Sequence, residues 1–312
     1  LLYCPNHPTP PVDWKVPNAC QHSSKGMSFL GSPIGSGDFI ATHLATNLQP
    51  LRLALSRLHL ISNLHVQFTL LTKSLIHLPT FLLRASPYPN LAPLTAIRTL
   101  LMEHTRRLCA PNSPLQSKSW GLAQLPRRKG GMGITSPDTV ADCAFLGKQL
   151  FVSRTIHTMF PYLSTTLPLP HTLLKPDSTA RPAHPFTPDL RPSLASQSLL
   201  SLSRLPPTSL ATLERLSKSD HSLNHLQHKL LATTLERGAD DLIKSLTPRD
   251  QAMVRSSAGD SYGFNTTPSN TTLLLSNSQF SVAASRRLLC PIYDPSVPNP
   301  ICPRCGDSMD CL

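Results

Sequence analysis

The sequence predicts a mainly α protein: a small helical bundle, a proline-rich linker, and a second small helical region ending in a partial Cys-x-x-Cys knuckle. Three observations lead there. Leucine carries much of the apolar content while aromatic residues make up only 5% of the 312-residue chain. Proline is abundant at 32 residues and glycine scarce at 13. Leucine favours helix and proline interrupts it, so a chain rich in both reads as short helices with stiff joints. The third observation is apolar spacing at three and four residues through most of the first half, as one face of a helix requires.

Residues 1–26 (LLYCPNHPTPPVDWKVPNACQHSSKG) are proline-rich and polar, a lead-in loop. MSFLGSPIGSGDFI follows, reading as a brief strand, a tight turn and a helix start near Gly37, with Asp38 placed to cap it. Leu44, Leu48, Leu51, Leu55 and Leu58 then keep helical spacing, with Pro50 expected to break or restart the helix. A second helix is expected over Leu64–Leu83, kinked at Pro79, with Phe68, Leu71, Leu75 and Leu82 on one side. A third spans Leu91–Leu108; its apolar face holds Leu94, Ile97 and Leu101, and its other face Arg98, His104, Arg106 and Arg107. Short joints between three amphipathic helices predict a small bundle over 27–160. That range closes on GLAQLPRRKGGMGITSP, whose glycine turn leads to Ser136 as cap and Pro137 as first residue of a helix reaching Met159. A Pro/Ser/Thr-rich linker is assigned to 161–210, a second helical region to 211–289, and the partial knuckle to 290–312.

The net charge of +12 and pI of about 9.6 suggest a polyanionic partner. Between Asp38 and Lys129 eleven Lys/Arg face two acids, whereas from Phe151 onward fifteen face twelve. The positive excess therefore belongs to the first helical block. Cys109 and Cys143 lie far apart in apolar runs, as reduced core thiols do. No secretory h-region is evident, so a disulfide framework is not expected and the Asn265 and Asn270 sequons lack the context that would use them. No uninterrupted apolar stretch approaches the ~18 residues of a membrane span. The expected location is intracellular, nucleus or cytoplasm, with no membrane partner.

Several motifs carry possible chemistry. Gly31-Ser-Pro-Ile-Gly35-Ser-Gly37 lacks the Lys-Ser/Thr of a phosphate loop and reads as a structural turn. Ala239-Asp240-Asp241 resembles a polymerase metal hairpin only in its two acids; its flanks are helical and it reads as a surface pair. His221, His225 and His228 share one helical face, a geometry open to zinc, yet no nearby acid or cysteine completes the set. Arg127-Arg128-Lys129 is a compact cation cluster, equally readable as a phosphate contact or as a solvated loop. Cys302-Pro-Arg-Cys305-Gly has the form of a zinc knuckle's first half. Zinc takes four ligands, so either the second pair lies outside this sequence or Cys290 and Cys311 complete the site; a redox pair is the third reading.

Taken in order, FLGSPIGSGDFIATHL, LLTKSLIHLPTFLLRASP, AQLPRRKGGMGITSP and RDQAMVRSSAGDSYGFNTTPSNTTLLLSNSQFSVAASRRLLC followed by CPRCGDSMDCL resemble the region after the palm of non-LTR (LINE-like) retrotransposon reverse transcriptases. The resemblance covers most of 27–160 and 249–312. It implies a thumb-like bundle that grips an RNA/DNA template–primer duplex, with Lys73, Arg98, Arg106, Arg107, Arg127, Arg128 and Lys129 as candidate phosphate contacts. Cys302 and Cys305 would be an incomplete zinc pair. The family's Tyr/Phe-x-Asp-Asp hairpin has no equivalent here, so the chain is expected to be a fragment without stand-alone catalysis. Magnesium would belong to the parent polymerase, whose palm and fingers are then the missing partners. Tyr262-Gly263 stands where the family has a Trp, and the knuckle's His and last Cys are not in this sequence. Two rival expectations are a non-functional retroelement remnant and a cellular zinc-dependent interaction module.

Overall fold

The computed structural model describes residues 2–3, 22–23, 25–29, 31–85, 92–109, 115–159, 201–218, 226–258 and 274–291. Among them the protein is mainly helical. Two short parallel strands, β1 (Leu2–Tyr3) and β2 (His22–Ser23), precede an antiparallel hairpin of β3 (Gly26–Phe29) and β4 (Ser32–Gly35). The described residues then form α1 (Gly37–Arg57), α2 (Leu64–Lys73), α3 (Thr80–Ala85), α4 (Ala92–Cys109), α5 (Ser117–Gln124), α6 (Pro137–Met159), α7 (Pro207–Lys218), α8 (Leu226–Ser245), α9 (Pro248–Ser256) and α10 (Asn277–Arg287).

The helix expected at Gly37 forms, but its cap differs: the Phe39 amide donates to Ser36 Oγ at 3.3 Å, and Asp38 sits inside the first turn. Pro50 does not break α1, which runs through it. A proline removes one backbone bond and crowds one turn. Here the buried stripe of Leu44, Leu48, Leu51 and Leu55 holds the helix together across that defect. The single helix expected over Leu64–Leu83 is instead α2, a 3-10 turn at Leu75–His77, and α3. Over Leu64–Ala85 the chain reaches the length and mean hydropathy (1.2) of a membrane span. Counting uninterrupted apolar residues passes over it because Gln67, Thr69, Thr72, Lys73 and Ser74 fall within it.

The chain divides into two compact units, each assembled from three separate stretches. The first comprises Leu1–Leu53, His77–Arg98 and Ser136–Arg237. Its core gathers Phe145, Leu146 and Leu150 of α6 with Leu202, Leu205, Leu213, Leu226 and Leu230, and α3 packs along α6. Leu202 and Leu205 fall in 161–210, so the last residues assigned to the linker are core-forming: 201–204 are helical and α7 begins at Pro207. Arg204 reaches Asp142 on α6 at 2.6 Å. Burial raises the Asp142 carboxyl and the guanidinium opposes that rise. Burial likewise pushes the Cys143 thiol up to about 11, as a core thiol requires.

The second unit comprises Ala54–Ile76, Thr99–Thr135 and Gly238–Leu312. Phe68, Leu71, Leu101, Leu108, Leu122, Met132 and Phe280 are all buried in it. Phe280 of α10 lies between two rings of α2, stacked on His65 (centroids 5.7 Å) and tilted against Phe68 (5.5 Å). Two asparagines fix the helix starts reciprocally. Asn63 accepts from the Val66 amide at 3.0 Å and donates to Leu275 O at 3.2 Å. Asn277 accepts from the Leu64 amide at 2.9 Å and donates to Ser62 O at 2.8 Å. A capping box between Ser276 and Gln279 finishes the start of α10.

Candidate functional site

Within the second unit the chain leaves α5 through Leu125-Pro126, makes a 3-10 turn over Arg127–Lys129 and reverses at the glycines. Gly130 has φ +88°, a left-handed conformation that an L side chain resists. A Cβ there would lie 2.3 Å from Val254 O, and one at Gly131 would lie 2.2 Å from Leu125 O. The turn is closed from within: the Gly131 amide donates to Pro126 O (3.2 Å), Gly133 to Leu125 O (2.9 Å) and Ile134 to Ala123 O (3.0 Å). Replacing Gly130 by alanine is expected to cost about 2 kcal/mol, read as a lowered urea midpoint at unchanged slope. An unchanged midpoint would show that the backbone shifts freely.

The three cations of this turn have different fates. Arg127 turns inward: its Nε donates to Met132 O at 3.2 Å and its guanidinium lies 5.7 Å from the Phe68 ring centroid. Burial, then the nearby Arg287, holds its pKa below the ordinary value. Arg128 is exposed and Lys129 partly so, and both line a cleft of about 190 Å³ together with Lys244, Arg255, Asp240 and Ile243. The cleft is thus built from the turn, the C-terminal half of α8 and the end of α9. Lys129 Nζ meets Asp240 Oδ1 at 2.9 Å, and Asp240 and Lys244 sit one turn apart on α8. Four cations against one carboxylate leave the lining with a surplus of three positive charges.

Arg287 of α10 braces the turn from behind. Its buried guanidinium donates to Gly130 O (3.1 Å), Gly131 O (3.0 Å), Arg127 O (3.3 Å) and Ser257 O (3.0 Å). Ser257 directly follows α9, so one side chain joins the turn carrying Arg128 and Lys129 to the helix carrying Arg255.

The other candidate phosphate contacts lie elsewhere. Lys73 is exposed at the end of α2. Arg98, in the first unit, pairs with Asp138 at 2.9 Å. Arg106 and Arg107 both close on Glu103, at 2.8 and 2.9 Å. The Arg106 hydrogen bond leads, with Arg107 adding to it, in drawing the Glu103 carboxyl down to about 2. Of the seven cations singled out in the sequence, the cleft gathers Arg128 and Lys129. Lys244 and Arg255 were missed. For Lys244 a signal existed, the Asp240–Lys244 spacing on a helical pattern; Arg255 lies in a stretch read for its resemblance and not for its charge.

Cys302 and Cys305 lie outside the described residues, as do Cys311, His221 and His225; His228 is exposed on α8. Cys290, the other proposed completing ligand, is buried, and its Sγ approaches Leu288 O at 3.8 Å. Burial raises its thiol, a setting that suits a packed thiol better than a zinc thiolate. Among the described residues no group of three or more His, Cys, Asp or Glu is placed to hold a metal ion. Asp240 and Asp241 are exposed on α8, a helix rather than a hairpin.

Comparison of the chain with protein-family models, with curated proteins and with solved structures finds no match.

Proposed function

We propose that this chain is the nucleic-acid-holding part of a non-LTR-type reverse transcriptase, following the palm, and that it grips a template–primer duplex by its phosphates without catalysing nucleotide addition. The observation that carries the reading is the cationic cleft beside Arg127–Gly133. It stands on the same Leu-Pro-x-x-x-Gly-Gly-x-Gly turn that carries part of the family resemblance, and it joins that turn to a helix from the 249–312 stretch. Cations held in a cleft contact the strand backbone through charge and read no base, so affinity follows counterion release. The helices around the turn fit a thumb-like bundle, and a zinc knuckle at Cys302 and Cys305 would extend it.

The test is the salt dependence of binding to an RNA/DNA hybrid duplex. Four phosphate contacts give a slope of roughly −3.6 for log K against log salt, a loss of about 150-fold between 50 and 200 mM. Duplexes of scrambled sequence should bind equally well. A flat salt profile overturns the reading.

A further inference from the structure

We infer that Asp240 is a built-in competitor for the cleft: its carboxylate holds Lys129, and a phosphate group enters by displacing it. The inference rests on the phosphate-gripping reading and specifies how the site is regulated. Lys129 Nζ and Asp240 Oδ1 meet at 2.9 Å at the wall of a cleft whose other polar lining is Arg128, Lys244 and Arg255. Asp240 is thus the single acid among four cations, bonded to one and a helical turn from another. Its side chain is 53% exposed and that of Lys129 34% exposed, so the pair is open to exchange with a dissolved anion. Exposed pairs of this kind are weakly held. A phosphate, with more charge and more acceptor oxygens than a carboxylate, competes with Asp240 for Lys129. In that arrangement Asp240 lowers affinity, weak anions fail to enter, and the cations stay partly neutralised until a strand arrives.

The test measures Asp240→Asn and Asp241→Asn in the full chain against two probes, inorganic phosphate and an RNA/DNA hybrid duplex, at 50 mM salt. Both substitutions remove one exposed negative charge, but Asp241 does not line the cleft. D240N is expected to tighten binding roughly three- to fivefold while the duplex salt slope stays near the parent's, because the same four cations make the contacts. D241N should change affinity less than about 1.5-fold. Tightening for both probes supports the competitor role with a strand phosphate as occupant. Tightening for inorganic phosphate alone supports the competitor role but removes the nucleic-acid reading. Equal effects of the two variants would overturn the inference, because net charge would then be acting and not the cleft. Weaker binding by D240N would also overturn it, since Asp240 would then be orienting Lys129 for its ligand; the phosphate-gripping reading would survive that outcome. Circular dichroism of both variants confirms that the fold is retained.

Discussion

Arg287→Ala loses about 3 kcal/mol of stability, while Arg286→Ala, one residue earlier, loses less than about 0.5. The two arginines end α10 side by side, but Arg286 is exposed and Arg287 is 6% exposed. The buried guanidinium serves four carbonyls, those of Arg127, Gly130, Gly131 and Ser257. Truncation leaves those oxygens to find water inside a packed unit, and hydrogen bonds from a charged donor are the costly ones to lose. Lysine does not substitute, because one ammonium cannot reproduce a planar fork that reaches two segments at once. In thermal unfolding the loss corresponds to a Tm lower by roughly 6–12 °C. The same variant loosens the turn that presents Arg128 and Lys129, so on the proposed phosphate-gripping reading duplex affinity falls even where the protein is still folded. Equal losses for the two arginines would mean that the brace contributes nothing beyond helix propensity.

Acidification from pH 7 to pH 4 removes up to about 3 kcal/mol of stability through His104 alone. This residue of α4 is 4% exposed, and its Nε2 finds no hydrogen-bond partner among the described residues. Burial chiefly, then the charges of Arg107 and His59, push its pKa down to about 4 from 6.5, with Glu103 acting weakly the other way. The folded state therefore keeps the imidazole neutral, whereas the unfolded chain takes up a proton near 6.5. The contribution is intact above pH 6.5, fades as the pH falls toward 4, and changes no further below that. Urea titrations at several pH values should show that decline in the native protein and a flatter profile in His104→Leu. Because the ring nitrogen is not hydrogen-bonded, leucine should cost little at pH 7. A variant as acid-sensitive as the parent would place the effect elsewhere.

Local pattern was enough for some elements. Leu94, Ile97, Leu101 and Leu108 mark α4 to within a residue of each end, and Ser136-Pro137 fixes the start of α6. The glycine turn after Arg127–Lys129 was equally visible, since two adjacent glycines between helical patterns have few other uses. What escaped depends on partners distant in sequence. Arg287 meets carbonyls 156 to 160 residues earlier, and nothing local separates it from Arg286. Arg127 looks like its neighbours Arg128 and Lys129 until Phe68 is placed beside it. Pro50 looks like a helix end because the intrinsic penalty is local, while the buried leucines that outweigh it act through packing. Half the cleft was legible as a cation cluster; the other half required knowing that α8 and α9 fold back onto the turn.

The second unit places Phe68 against Phe280, with most of the chain between them. A ribosome adding about 5–20 residues per second needs roughly 10–40 s to cover that interval. Through that window the apolar face of α2 has been synthesised and its lid has not. Nascent chains are therefore most vulnerable to aggregation late in translation, and a chaperone bound near α2 would act at the moment of greatest need. Closing so wide a loop is also entropically slow, so the unit should be the later of the two to mature.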